Sequence, residues 1–330
     1  MMRKQRELSY ASVFIFLLVP AVLVLSGCAG AKVDPASAKL APELPIADLH
    51  LHPDSDLSPS QIKDAMDANG VRWAGAGAKR GDRSTWMTVA GELGDRFIAF
   101  AGQVELNRAY FDGGVAGTED VNNAAVQNLL QTAEEDLKAG RIKGIGEIFV
   151  NNSRSHPDPG FRRKFRADAP SMRALYQLVA KYSGFLTFHM ESDSDSVGQL
   201  ERLLESDRKG RILLNHCGVG ASAAQVRPLF EMHPNVFCEL SGRYPPVLSS
   251  QAINRFPERE IFNNWRGPDA GWLQLIEGHP DRFMIGTDAN SRSEYDGAIK
   301  AVREGLLPYL RPATARKVAH ENAQQLFGLK

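Results

Sequence analysis

The 330-residue sequence has no excess of charge: 39 lysines and arginines are balanced by 39 aspartates and glutamates. Without a basic face, no nucleic-acid partner is expected. No internal repeat appears, and no low-complexity tract lies beyond the first 44 residues. No apolar run is long enough to span a bilayer: Val13–Leu25 has 13 residues where about 20 are needed. No glycine-rich phosphate loop follows the first predicted strand, which argues against an open, doubly wound sheet. Cysteine is scarce, at three residues. Cys217 and Cys238 lie in apolar, strand-like surroundings, where a buried free thiol is the ordinary expectation and a disulfide requires an oxidising compartment. What is present, 43% hydrophobic and 24% charged residues, is ordinary for a globular protein with room for one barrel-type domain or two smaller ones.

The N-terminus reads as a targeting segment. Arg3, Lys4 and Arg6 precede the apolar run, which ends in Leu25-Ser26-Gly27-Cys28. That ending resembles the lipobox of bacterial lipoproteins. The resemblance implies removal of residues 1–27 as a signal peptide and acylation of the Cys28 thiol by fatty acids of the palmitate kind, which anchors the protein in a membrane. Ala29, where an aspartate would favour retention at the inner membrane, points to the outer membrane and the periplasm. Residues 28–44, rich in alanine and proline, read as the lipidated cysteine and a tether, leaving 45–330 as the folded domain. Loss of residues 1–27 leaves 36 basic against 38 acidic residues.

Short β-rich runs then recur, at Pro45–His50, Val71–Gly75, Phe97–Gly102, Lys143–Phe149, Gly184–His189, Arg211–His216, Asn235–Leu240 and Arg282–Thr287. Helical patterns lie between them. One begins at Pro59 behind the cap Ser58; another carries the stripe Val126, Leu129, Leu130, Ala133, Leu137 and stops at Gly140. Further helices fit Ser171–Tyr182, Val197–Ser206, Ala223–Met232, Gly271–Gly278, Glu294–Glu304 and Ala313–Phe327. Eightfold strand–helix alternation predicts a parallel α/β sheet closed as a (β/α)8 TIM barrel.

In such a barrel, chemistry sits at the carboxy ends of the strands. Strand one ends in His50 and His52, strand four carries Glu147, strand five ends in His189, strand six in His216, and strand eight in Asp288. Two imidazoles two residues apart on one strand can converge on a single cation, and zinc suits nitrogen and carboxylate ligands. Strict alternation would place Asp48 on the histidine face, with Ala47, Leu49 and Leu51 opposite; Asp48 lies deeper and reads as a supporting residue.

At this point the chain resembles the amidohydrolase superfamily of metal-dependent hydrolases. The D-x-H-x-H of strand one and the later strand-end histidines carry the likeness. N-H-C-G, E-L-S-G and G-T-D-A, with the closing helix His320–Gly328, place it nearer the amidohydrolase-related branch. The resemblance implies that His50 and His52 bind a first metal with Asp288, and that His189 and His216 bind a second. Glu147 stands where many relatives place a bridging glutamate or carboxylated lysine. Its G-E-I segment is similar to that of TatD-like deoxyribonucleases, but the following Phe-Val-Asn-Asn departs from their Gly-Leu-Asp and speaks against a nuclease. One or two divalent ions, zinc first among them, are expected per chain.

The expected activity is hydrolysis of an amide, ester or lactone in a small organic substrate by metal-activated water, with Asp288 moving the proton. A nonoxidative decarboxylase of the same branch is the alternative enzyme; a noncatalytic envelope lipoprotein retaining the barrel is the third reading. On the substrate side, long loops after strands three, four and seven shape the pocket. Arg243 is a candidate clamp for a substrate carboxylate, with Tyr244 beside it. The basic run Arg162, Arg163, Lys164 and Arg166 reads as a solvated face able to attract an anion. Glu191, Asn215 and Asn290 flank expected ligands and can orient them.

Overall fold

A computed structural model describes residues 31–53, 57–76, 83–156, 158–243 and 267–330. Its strands are β1 (Ile46–Leu51), β2 (Val71–Ala76), β3 (Phe97–Ala101), β4 (Gly144–Asn151), β5 (Phe185–Met190), β6 (Ile212–Leu214), β7 (Val236–Glu239) and β8 (Phe283–Met284). They pair in sequence order, every neighbour parallel. The ring closes where Leu49 N donates to Ile285 O at 2.9 Å, beside bridges from Asp48 to Ile285 and from Leu51 to Ala289. The (β/α)8 barrel expected from the sequence is the fold observed.

The helices before the C-terminal helical run are α1 (Pro35–Leu40), α2 (Pro59–Asn69), α3 (Arg83–Leu93), α4 (Gln103–Glu119), α5 (Ala124–Lys138), α6 (Pro170–Lys181), α7 (Ser194–Ser206), α8 (Ala223–Met232), α9 (Ala270–Gly278) and α10 (Arg292–Ala301). Local chemistry sets their ends. At α2, Ser58 and Gln61 cap each other's backbone N–H groups at 3.3 and 2.8 Å, and Gly70 ends the helix at φ 63°. The helix α4 occupies what reads from sequence as a long loop. Its glycines obscure the period, and Gly114 (φ 60°, ψ −151°) kinks it.

Two sequence expectations are corrected here. Part of the expected tether is structured: Asp34 caps α1, its N–H reaches Pro308 O at 2.8 Å, and Ala41 and Leu44 join the core. Alternation also fails along β1. The register shifts between Asp48 and Leu51, so Leu49 enters the barrel interior while Asp48 turns from the histidines toward Thr287 and Tyr295 of α10.

The interior layer is Ala47, Leu49, Trp73, Ile98, Phe100, Phe185, Leu213, Phe237 and Met284. The C-terminal helical run plugs it with Ala323 and Phe327, while Asn322 Nδ2 donates to the carbonyls of Pro280 and Phe283 at 2.8 Å. This apolar floor leaves the opposite end of the barrel for polar chemistry.

Candidate metal centre

The carboxy ends of β1 and β5, the middle of β4 and the turns after β6 and β8 bring His50, His52, Glu147, His189, His216 and Asp288 into one cluster. Glu147 is its middle. Its Oε2 lies 3.4 Å from His50 Nε2 and 3.8 Å from His52 Nε2. Its Oε1 lies 2.9 Å from His189 Nδ1 and 3.4 Å from His216 Nε2. Asp288 Oδ1 sits 2.8 Å from His52 Nε2 and 3.5 Å from His50 Nε2. His216 Nε2 and His189 Nδ1 are 3.1 Å apart.

Glycine makes this approach possible at two points. A Cβ on Gly146 would stand 2.0 Å from Thr187 Oγ1, so only glycine lets β4 press against β5 beside Glu147. A Cβ on Gly286 would stand 2.0 Å from Glu239 Oε2. Glu239 is the functional residue that sequence reasoning misses, although E-L-S-G carries part of the family resemblance and the carboxylate ends a strand. Fully buried, its Oε1 meets His50 Nδ1 at 2.9 Å and accepts from His216 N at 2.7 Å; Oε2 accepts from Ser241 N at 2.7 Å. A proton on His50 Nδ1 bonded to Glu239 leaves the Nε2 lone pair facing the cluster, the usual arrangement of a carboxylate behind a metal-binding imidazole.

The turn carrying His216 is unusual. His216 and Cys217 have φ of 58° and 49°, a left-handed region costly for such residues. Three features hold it. Glu239 takes the His216 N–H, as above. Cys217 and Cys238 are joined by a disulfide, which corrects the expectation of free thiols: the parallel pairing of Leu214 with Cys238 brings the two sulfurs together. Arg243 donates to the carbonyls of His216, Cys217, Gly218 and Ala221 at 2.6, 3.2, 2.8 and 3.1 Å, and its guanidinium stacks over Trp272 at 4.2 Å. Arg243 is fully buried, so the structure gives it the clamping of this turn in place of a substrate carboxylate. Tyr244 and Cys28 lie outside the described residues.

Neighbours fix the remaining residues of the cluster. Asn215 Nδ2 and Ser241 Oγ lie 3.0 and 3.2 Å from His50 Nδ1. Glu191 accepts from the N–H groups of Arg154 and Ser155, both at 2.6 Å, holding a turn whose Ser155 Oγ meets His189 Nε2 at 3.3 Å. Asn290 Nδ2 donates to Asp288 O at 3.1 Å. Asp48 supports from behind: it accepts from His50 N, Thr287 N and Thr287 Oγ1 at 3.0, 2.9 and 2.8 Å, tying β1 to the segment after β8. Burial pushes its carboxyl up to about 7 despite those bonds.

The electrostatics suit a cation. Burial by itself would lower His50, yet Glu147, Asp288 and Glu239 hold it well above the ordinary imidazole range. Burial opposes ionisation of Glu147 and Asp288, but the charge of His50 and hydrogen bonds from the histidines hold both well below the carboxylate range. His189 is shifted down, chiefly by burial. Three ionised carboxylates thus converge on a few imidazoles. The buried His50 Nε2 has no hydrogen-bond partner, although it faces two carboxylate oxygens. Ligands about 2.1 Å from a tetrahedral zinc stand about 3.4 Å from one another, close to the spacings of His50 with Glu147 and Asp288 and of His216 with Glu147. Ligand atoms of His50, His52 and Glu147 form one compact group, and those of Glu147, His189 and His216 another. The donor set fits a metal ion.

A family model with the description "Amidohydrolase" matches residues 47–329. A zinc-bound amidohydrolase from Burkholderia multivorans is 16% identical, with a TM-score of 0.51 over 87% of this chain and 100% of that one. A probable 2-pyrone-4,6-dicarboxylic acid hydrolase from Acinetobacter baumannii, with citric acid bound, is 13% identical, with a TM-score of 0.51 over 86% and 99%. A 2,6-dihydroxybenzoate decarboxylase from Rhizobium is 15% identical, with a TM-score of 0.50 over 87% and 99%. At these identities the likeness is one of fold. No curated protein matches the chain.

Proposed function

The chain belongs to the amidohydrolase family, and from that premise we propose a metal-dependent hydrolase that cleaves an amide, ester or lactone bond in a small organic molecule. The observation that supports it most is the placement of Glu147, whose two oxygens reach separate histidine pairs. One carboxylate between two pairs is a frame for two cations. His50, His52 and Asp288 would hold the first, His189 and His216 the second, with Glu147 shared.

Divalent ions held there, zinc foremost, would supply Lewis acidity, making water acidic enough to lose a proton near neutrality and polarising the carbonyl to be cleaved. The protein's own residues do the rest. Asp288 is the most open of the six ligands, with its side chain 24% exposed, and it is held ionised. It would accept the water's proton and return it to the leaving group, the base-then-acid role. Glu239 keeps His50 in the tautomer that presents Nε2. Arg243 and the disulfide fix the turn from which His216 projects.

Metal analysis with a turnover screen tests this reading. The purified protein should carry one to two equivalents of transition metal, His50→Ala should lose at least one, and lactones, esters or amides should be cleaved only by the loaded protein. An unmetallated wild type would refute it; carbon dioxide release from carboxylated aromatics without hydrolysis would replace it with a decarboxylase. Localisation belongs to the same proposal: the Leu25–Cys28 motif supports an envelope lipoprotein acylated at Cys28, and a disulfide is at home in the oxidising periplasm. Cys28→Ser should abolish labelling by radioactive palmitate; unchanged labelling would refute the anchor.

A further inference from the structure

The two ends of the barrel differ in charge. Carboxylates collect at the mouth, where Glu147, Glu239 and Asp288 surround the histidines. At the opposite end, the residues just before β3, β4, β6 and β8 are Arg96, Lys143, Arg211 and Arg282, and none of the eight residues in such positions is acidic. Three arginines lie against aromatic rings of the floor: Arg72 over Trp73 at 5.7 Å, Arg211 over Phe185 at 4.3 Å and Arg282 over Phe237 at 4.9 Å. Asp67 neutralises Arg96 at 2.7 Å, and Arg282 donates to the carbonyls of His233 and Val236. Arg72, Lys143 and Arg211 form no ion pair among the described residues, and Lys209 and Lys330 stand exposed at the same end.

The chain also enters the fold at this basic end. Asp34 N, ahead of α1, donates to Pro308 O at 2.8 Å. Arg303, beyond α10, ties the segment after α1 to the floor: its Nη1 donates to the carbonyls of Ala41 and Leu44, and its Nη2 to those of Asn69 and Gly70, just before β2. Five residues separate Cys28 from Asp34. Six links of fully extended chain reach at most about 21 Å. The six residues of β1 alone rise roughly 20 Å. With the mouth turned to a membrane, the floor would stand farther from it than this leash spans, once the loops above the strands are added.

We propose that the amino end of the barrel docks on anionic phospholipid headgroups of the membrane that holds Cys28, with the metal cluster opening away from the bilayer. The inference rests on the envelope-lipoprotein reading and extends it to orientation and access: the molecules cleaved arrive from the aqueous side. The acyl chains bring the floor to the surface, where headgroup charge, screened over about 10 Å at 0.1 M salt, acts on it. Each unpaired lysine or arginine there strengthens the contact about fivefold. Arginine suits a phosphodiester, whose two free oxygens accept parallel N–H donors. The acidic mouth has the wrong sign for such a surface.

Lysine acylation read by mass spectrometry tests it on the lipidated protein, reconstituted on vesicles of phosphatidylcholine alone or mixed with phosphatidylglycerol. On the anionic vesicles Lys143, Lys209 and Lys330 should react at least about fivefold more slowly than on the neutral ones. Lys164, beside the carboxy end of β4, should keep its rate. The protection should vanish in about 1 M salt. Arg72→Gln combined with Lys209→Gln removes two exposed charges without touching the cluster. It should cut the protection of Lys143 and Lys330 at least threefold, with melting temperature and zinc content unchanged. Equal rates on both vesicles, protection centred on Lys164, or protection undiminished in the double variant would overturn the docking face. Protein that proves to carry no acyl chains would refute the anchor instead, and the same comparison of anionic with neutral vesicles would still judge the face.

Discussion

Replacing Cys217 and Cys238 together by alanine removes the covalent tie between the His216 turn and β7. The two cysteines are 21 residues apart in sequence. Closing a loop of that size lowers the entropy of the unfolded chain by about 11 cal/mol/K, or about 3 kcal/mol at 25 °C. For a domain near this size the unfolding entropy is about 0.6 kcal/mol/K, so the midpoint should fall by about 5 °C. The loss should also reach the metal, because the neighbouring residues are His216 and Glu239. Scanning calorimetry and zinc titration on oxidised wild type, reduced wild type and the double variant provide the assay. Reduced wild type and variant should melt together below the oxidised protein and bind zinc more weakly. If mass analysis finds both thiols free in protein purified without reductant, or if oxidised and reduced forms melt alike, the reasoning is wrong.

Three further outcomes are expected. His50 is held protonated in the metal-free protein, so its contribution to stability is full below its ordinary value of 6.5 and is lost as pH rises through the raised value. Zinc must displace that proton; calorimetry in buffers of different ionisation enthalpy should show proton release near neutrality, with affinity falling as pH drops, and pH-independent binding would contradict this. Arg243→Met strands four carbonyls in a buried turn and should cost at least about 3 kcal/mol in urea denaturation, with reduced zinc uptake; a change below about 1 kcal/mol would show that Arg243 does not hold the turn. Phe327→Ala opens the barrel floor beneath Phe185 and should cost about 3–5 kcal/mol while leaving metal content intact, and a stable variant that loses its zinc would reverse that assignment.

The carboxy ends of predicted strands made most of the cluster legible. His50, His52, Glu147, His189, His216 and Asp288 combine metal-ligand chemistry with strand-end positions, and the barrel rule alone brings such residues to one face. The sequence of β7 withholds Glu239 for a physical reason. A single carboxylate in an apolar run has no period of its own, and its access to His50 depends on the missing side chain at Gly286, 47 positions later. Arg163 is hidden likewise: charge in a loop reads as solvated, and only its packing between α4 and β4 selects one arginine of the run for burial.

The sequence by itself determined the barrel and the six residues of the cluster, because eight alternating segments and the residues at or near their ends are local properties. Tertiary structure decided the side of β1 taken by Asp48, the union of Cys217 with Cys238, the turning of Arg243 onto the His216 loop and the burial of Arg163. Each depends on register and contact between segments distant in the chain, which periodicity and composition do not encode.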